Sequence, residues 1–259
     1  MSKKTQNWAV PLIAVLLGML VGAVLMLIFG YDPFWAYYDL FSTAFGSLKH
    51  IGEILRAMSP LILIALGFSV ASKAGLFNIG LPGQALAGWT SAVWFALAFP
   101  ELPKVVSIVC TVIIGLVAGG ITGAVPGILR AYLGTSEVIV TIMMNYIILY
   151  VANNIVRFGF TSEASNRVSA SASYQTDFLS SLTDGSRFNI GFFLAIVAVF
   201  LVWFMLKKTT TGFEITSVGF NPNASEYAGI SSKRVIIMSM IISGALCGLG
   251  GTVEGLGTF

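Results

Sequence analysis

Runs of apolar residues near 20 long recur along this 259-residue chain, and that length matches the roughly 30 Å of hydrocarbon a helix must cross in a bilayer. The runs fall at residues 8–29, 59–74, 78–99, 105–131, 137–157, 190–206 and 235–256, which predicts about seven spans. Within a bilayer every backbone N–H and C=O needs a partner from the protein, and no lipid-facing strand pattern is present, so helices must supply those bonds. The fold class expected is all-α, a polytopic transmembrane helix bundle forming a single transmembrane domain over 1–259. Composition agrees, because only 10% of residues are charged and 56% are hydrophobic. A soluble domain carries about 25% charged residues to cover its surface.

Net charge is +3, and in a soluble protein a pI of 8.9 would suggest nucleic acid. Here the basic residues sit at the ends of the apolar runs, where the positive-inside rule places them, so no nucleic-acid partner is expected. With a cytoplasmic N-terminus, the inner segments hold Lys3, Lys4, Lys73, Arg130, Lys207, Lys208, Lys233 and Arg234. The short outer segments hold Lys49, Arg56 and Lys104. Arg157, Arg167 and Arg187 fall on a longer outer loop, offset by Glu163, Asp177 and Asp184. This bias makes 158–189 an extracellular loop and 207–234 a cytoplasmic one. The run from Trp8 to Phe29 exceeds the ~7–15 residues of a signal-peptide core and reads as an uncleaved first span. Cys110 and Cys247 lie within apolar segments and read as small hydrophobes rather than a disulfide or metal pair.

Two segments are expected outside the spans. Residues 31–58 carry Tyr31, Phe34, Trp35, Tyr37, Tyr38, Phe41 and Phe45 beside Asp32 and Asp39, a mixture suited to the outer membrane interface. The 158–189 loop holds Ser162, Ser165, Ser169, Ser171 and Ser173 and reads as a solvated loop or a docking site for an external partner. Within the spans, Gly115, Gly119, Gly123 and Gly127 recur every fourth residue and share one helix face, a device for close helix approach. Gly18 with Gly22, Gly244 with Gly248 and Gly251 with Gly255 repeat it, and Ser239 and Ser243 extend the small face of the last span.

Enzyme signatures are absent. His50 is the only histidine, so neither a histidine metal cluster nor a Ser-His-Asp triad can be assembled, and no catalytic or metal residue is assigned. No G-x-x-x-x-G-K-[ST] loop is present, so ATP binding is not expected on this chain. Paired carboxylates within the spans, expected of many proton-coupled carriers, are missing too; Glu137 lies near an inner helix end and Glu254 near the chain terminus, a weak proton relay at best. The energy source is expected on another chain.

Three stretches break the apolar pattern. The first, Gly75-Leu-Phe-Asn-Ile-Gly-Leu-Pro-Gly-Gln-Ala-Leu-Ala-Gly88, interrupts a span junction, and irregular backbone at membrane depth must be buried in protein or line a watery cavity. Asn78 and Gln84 offer uncharged amides suited to a neutral polar solute, or cap an inner turn. In the second, from Gly134 to Ile147, Thr135 or Ser136 is a candidate cap beside Glu137, while Thr141 and Asn145 share a face and either glue helices or line a path. In the third, Asn221-Pro222 favours a turn and Asn223 is the candidate cap of a short helix through Ala224–Ala228, which Gly229 would end.

At these stretches the sequence resembles the permeases of the ribose and nucleoside class of ABC importers. Phe77-Asn-Ile-Gly80 with Gly83-Gln84 is similar to the family's F-N-I-G-x-x-G-Q element. Ser136-Glu-Val-Ile-Val-Thr141 with Met144-Asn-Tyr146 is similar to its E-V-I-x-T…M-N-Y element, in a form closer to the nucleoside branch. Gly219-Phe-Asn-Pro-Asn-Ala224 with Tyr227-Ala-Gly-Ile230 is similar to its cytoplasmic G-x-N-P…A-x-Y-x-G-I element.

The resemblance implies a permease subunit in the bacterial plasma membrane that moves nucleosides inward by alternating access. It implies no cofactor on this chain, with ATP and Mg held by two cytoplasmic ATPase subunits. A second permease subunit and an extracellular binding protein or lipoprotein complete the implied assembly. Asn78, Gln84, Thr141 and Asn145 would border the solute pathway, and Gly219, Asn221, Pro222, Glu226, Tyr227 and Gly229 would form the coupling element against an ATPase. Ribose or other simple sugars are the alternative cargo, and an ion-coupled secondary transporter the alternative class. Two departures stand out: Pro82 occupies a place where relatives often carry an acidic residue, and the chain stops at Thr258-Phe259 where family members continue through further spans.

Overall fold

A computed structural model describes residues 3–159 and 172–258. Among these the elements run α1 (Lys3–Ile28), α2 (Pro33–Phe45), α3 (Leu48–Lys73), α4 (Leu81–Ala98), α5 (Lys104–Leu133) and α6 (Glu137–Gly159), then α7 (Asp177–Leu182), α8 (Gly191–Lys208), α9 (Thr210–Phe220), α10 (Pro222–Tyr227) and α11 (Ser232–Thr258). The chain is an all-α membrane protein. Helices α1, α3, α5, α6, α8 and α11 are long and apolar enough to cross a bilayer. The expected span at 78–99 corresponds to α4, whose 18 residues cover about 27 Å at 1.5 Å per residue. Pro82, Gln84 and Thr90 dilute its apolar character, and Gln84 and Thr90 are buried against protein rather than lipid.

Two compact units make up the chain, Met1–Ile51 and Gly52–Phe259. In the first, Gly30 takes a left-handed φ of +81° after α1, a conformation that costs glycine little. Asp32 then caps α2 by accepting from the Phe34 N–H at 2.9 Å, and Pro33 opens the helix. The Tyr37 hydroxyl donates to the Met19 carbonyl at 2.6 Å. Gly22 makes room for that phenol, since a Cβ there would stand 3.0 Å from its oxygen, whereas Gly18 faces open space. Phe34, Trp35, Tyr38, Phe41 and Phe45 are exposed along α2.

Helix α3 corrects the reading of 31–58 as wholly interfacial, because residues 48–58 continue without interruption into the span expected at 59–74. Lys49, Glu53 and Arg56 disguised this part of the helix as extramembrane. Glu53 and Arg56 pair one turn apart at 2.8 Å, and the second Glu53 oxygen accepts the Arg187 N–H at 2.7 Å, so the charges of Glu53 and Arg56 are matched locally.

The second unit is organised around α11, which packs most extensively on α5 and α4, while α4 also packs on α5 and α6. Glycine faces make this possible. A Cβ on Gly119 would land on the Gly244 carbonyl, and one on Gly244 would land on the Gly119 carbonyl. One turn away a Cβ on Gly248 would land on the Gly115 carbonyl and one on Gly115 on the Thr252 hydroxyl, Gly123 meets the Met240 carbonyl, and Gly127 has Ile237 Cα 3.2 Å from its missing Cβ. Gly88 of α4 reaches the same Gly248, so three backbones converge there. Without lipid-excluded water to drive association, such dispersion contacts and short polar bonds hold membrane helices together.

Candidate functional site

The α3–α4 junction is a designed interruption. Gly75 adopts φ +74° and ends α3, with the Leu76 N–H returning to the Ala71 carbonyl at 3.0 Å. From Ala74 to Gly80 the chain is non-helical, which leaves backbone groups in need of partners. Side chains provide them. Asn78 Oδ1 accepts the Gly80 N–H at 2.9 Å, and Asn78 Nδ2 donates to Gln84 Oε1 at 3.0 Å and to Ser243 Oγ on α11 at 2.9 Å. From α6, Asn145 Oδ1 accepts the Gly83 N–H at 2.9 Å while its Nδ2 donates to the Ile79 carbonyl at 3.0 Å. Thr141 Oγ1 accepts the Ile79 N–H at 3.3 Å.

Asn78, Gln84, Thr141 and Asn145 thus form one cluster, the first three buried and Asn145 half-buried. Their bonds run between the break, α6 and α11, so the cluster fixes the interruption in place. Directly beside it, a cleft of ≈ 600 Å³ opens between α3, α4 and α11. Pro82, Ala85 and Leu86 from the start of α4 line it, together with Arg56, Trp89, Gly250, Gly251 and Glu254. Sequence reasoning passed over Arg56, Trp89 and Glu254 because no motif marks them; only the packing of α3 and α11 against α4 brings them together. A smaller apolar groove of ≈ 300 Å³ lies between α4 and α6, with Trp94 and Ile148 among its walls.

Behind the break stands the 207–234 connector. It is more ordered than a loop with one stub, since α8 runs to Lys208 and α9 follows at once, capped by Thr209. Asn221, not Asn223, caps α10, accepting the Ala224 N–H at 3.1 Å, because Pro222 already occupies the first helical position. Gly229 ends the segment at φ +84°. Ser225 is the buried residue of α10, and Ser232 Oγ donates to the Pro222 carbonyl at 3.0 Å to tie α10 to α11. Outward from that anchor, Tyr227 is 96% exposed and Phe220 87%, and Asn221, Pro222 and Glu226 are exposed with them. Gly219 meets the Lys73 carbonyl where a Cβ would be, so the connector presses directly on the end of α3.

Elsewhere Thr135 is a buried hydroxyl without a partner among the described residues, so it is no cap for α6. The turn before α6 is held instead by Gly134 at φ +66° and by an Arg130–Glu137 ion pair at 3.3 Å. Residues 160–171, with Ser162, Ser165, Ser169 and Ser171, lie outside the described residues. The following stretch is folded down rather than solvated. Tyr174 is fully buried, its N–H bonds the Leu256 carbonyl at 2.9 Å, and its hydroxyl pairs with Thr111 Oγ1 at 3.1 Å. Burial pushes the Tyr174 phenol up to about 12. Asn189 Nδ2 donates to the Gly257 carbonyl at 3.0 Å, so this stretch satisfies the last turn of α11.

Residues 50–259 match the family described as branched-chain amino acid transport system, permease component. The chain is 54% identical to the nucleoside ABC transporter permease protein NupB of Lactococcus lactis, over 99% of this chain and 73% of that protein. It is 44% identical to the guanosine ABC transporter permease protein NupP of Bacillus subtilis, over 100% of this chain and 75% of the relative. The glucose ABC transporter permease of Haloferax volcanii is 30% identical, over 95% of this chain and 67% of its own length. No solved structure matches the chain.

Proposed function

Since this chain belongs to the permease family of ABC importers described as branched-chain amino acid transport system, permease component, we propose that it is the membrane subunit through which such an importer carries nucleosides into the cell. The observation that carries the reading is the 54% identity to a nucleoside permease along nearly the whole chain, against 30% to a glucose permease. Membership of the family also supports partnership with ATPase and solute-binding subunits.

In this reading α10 is the element that meets a cytoplasmic ATPase. Its exposed Tyr227, Glu226 and neighbouring Phe220 offer an aromatic and polar contact surface, while Ser225 and Ser232 keep the helix attached to the bundle. Closure of the ATPases pushes on α10, and the Gly219–Lys73 contact passes that displacement to the α3–α4 break. The amide cluster of Asn78, Gln84, Thr141 and Asn145 holds the break as a unit, so it moves α4 and the adjoining cleft together. The α9–α10 connector lies inside the cell and residues 172–189 outside, at opposite ends of α8. Reporter tags near residues 170 and 220 should therefore land on opposite sides.

The test of the cargo is competition uptake by the full-length protein with its ATPase and binding protein. Labelled uridine or guanosine should be displaced by unlabelled nucleosides and left in place by ribose. Displacement by ribose, or ion-driven uptake without ATP, would reject the reading.

A further inference from the structure

Beyond the amide cluster, the ≈ 600 Å³ cleft brings an indole, a carboxylate and a guanidinium to the wall of one cavity. Its volume lies in the ~300–1,000 Å³ range of small-molecule sites. Trp89 is its one large aromatic lining residue, and the indole is fixed by a local device. A Cβ on Gly255 would stand 2.5 Å from Trp89 Cδ1 and 2.7 Å from its Nε1, so the ring lies against bare α11 backbone. Gly250 and Gly251 smooth the adjoining wall, Gly250 approaching the Pro60 carbonyl and Gly251 the Ala85 carbonyl. Glu254 lines the same cleft, one residue before the glycine that seats the indole. Arg56 stands across from them on α3, held by Glu53 at 2.8 Å. An ionisable side chain within a membrane span is expensive unless it serves a solute path or a partner.

On the reading of this chain as a nucleoside permease, we propose that the cleft takes a nucleoside in two parts, the Trp89 indole stacking on the base and the Glu254 carboxylate accepting hydrogen bonds from the ribose hydroxyls. Stacking suits purines and pyrimidines alike, because every base presents a π-face. A vicinal diol presents two O–H donors, and an ionised carboxylate is an acceptor with two oxygens. A free pentose offers the diol and no base, so it forgoes the stacking on Trp89 that a nucleoside gains. The cleft, and not the amide cluster that holds the break, is then where solute touches protein.

The experiment uses the assembled full-length importer in proteoliposomes, irradiated with 4-thiouridine or 8-azidoguanosine and mapped by peptide mass spectrometry, with ATP-driven uridine uptake measured on the same vesicles. Label is expected within 82–89 and 250–254, removed by excess uridine and unaffected by ribose. Trp89→Leu should lower the labelling roughly tenfold, the scale of one lost base–aromatic stack, while Trp89→Phe keeps most of it. If Trp89→Leu fails to assemble, the wild-type map alone decides. Intact uptake with label outside the cleft, for example in the α4–α6 groove, or with undiminished labelling of Trp89→Leu, overturns the cleft assignment and spares the nucleoside reading. Vesicles that import no nucleoside overturn both.

Discussion

Gly75 and Gly219 meet backbone to backbone: a Cβ added to Gly75 would lie 3.3 Å from the Gly219 Cα and 3.2 Å from its carbonyl oxygen. One glycine ends α3 in a left-handed turn, and the other sits near the end of α9, just before the exposed α10. The contact joins the α3–α4 break to the last turn of α9 with no side chain between them. Gly219→Ala is therefore expected to destabilise the bundle by roughly 1–3 kcal/mol, the usual cost of an extra methyl in a filled interior. That clash should outweigh the ~1 kcal/mol by which alanine is the better helix former. Gly18→Ala, where nothing lies within 4 Å, is the control and should not lower stability. Thermal unfolding in detergent measures both.

Asn145 serves two backbone groups of the break at once, the Gly83 N–H and the Ile79 carbonyl. Asn145→Ala should cost about 1–3 kcal/mol for each buried group left unsatisfied. Asn78→Leu should be at least as damaging, since it strands the Gly80 N–H together with Gln84 and Ser243. A double-mutant cycle of Asn78 with Gln84 should be non-additive; strict additivity would mean the two amides do not act together.

Neighbouring glycines on α5 should differ sharply. A Cβ on Gly119 falls on the Gly244 carbonyl, whereas one on Gly120 has its nearest neighbour, Ile241 Cγ2, at 3.6 Å, an ordinary contact. Gly119→Ala should force α5 and α11 apart and sharply reduce folded protein recovered from membranes. Gly120→Ala should be tolerated, with recovery near wild type. Equal behaviour of the two variants would mean that α5 and α11 are not packed in this register.

Tyr174 supplies a pH signature outside the spans. Its phenol is raised to about 12 by burial, with the Thr111 hydrogen bond pulling the other way. A raised pKa means the folded state favours the protonated form, so this contribution is fully present below the unfolded value near 10. It is lost as pH rises from there towards 12. Tyr174→Phe should therefore flatten the alkaline arm of the stability curve, and cost ~1 kcal/mol at neutral pH through the lost Thr111 bond.

Much of this organisation is legible in the sequence, and the limits have physical causes. Gly75, Asn78, Pro82 and Gln84 mark the break because each resists a lipid-facing helix, and the four-residue glycine period of α5 marks a helix face. Periodicity does not say which helix fills that face; the answer, α11, depends on register. The first three turns of α3 were hidden because Glu53 and Arg56 look extramembrane until seen paired. Tyr174 sits in a serine-rich stretch whose composition suggests solvent, and its burial under α11 is a tertiary fact. Asn221 and Asn223 are equivalent as caps by residue type, and the proline between them decides for Asn221. Trp89 and Glu254 share a cleft across 165 residues of chain, a proximity that no local pattern encodes.

The most direct test of force entering through α10 is the ratio of nucleoside imported to ATP hydrolysed, measured in the same proteoliposomes for the wild-type assembly and for Tyr227→Ala and Glu226→Ala. Both residues are exposed, so the variants should fold and assemble, keep hydrolysis within about twofold of wild type and lose at least tenfold in nucleoside imported per ATP. An unchanged ratio in both variants, or nucleoside accumulation that needs no ATP, would contradict it.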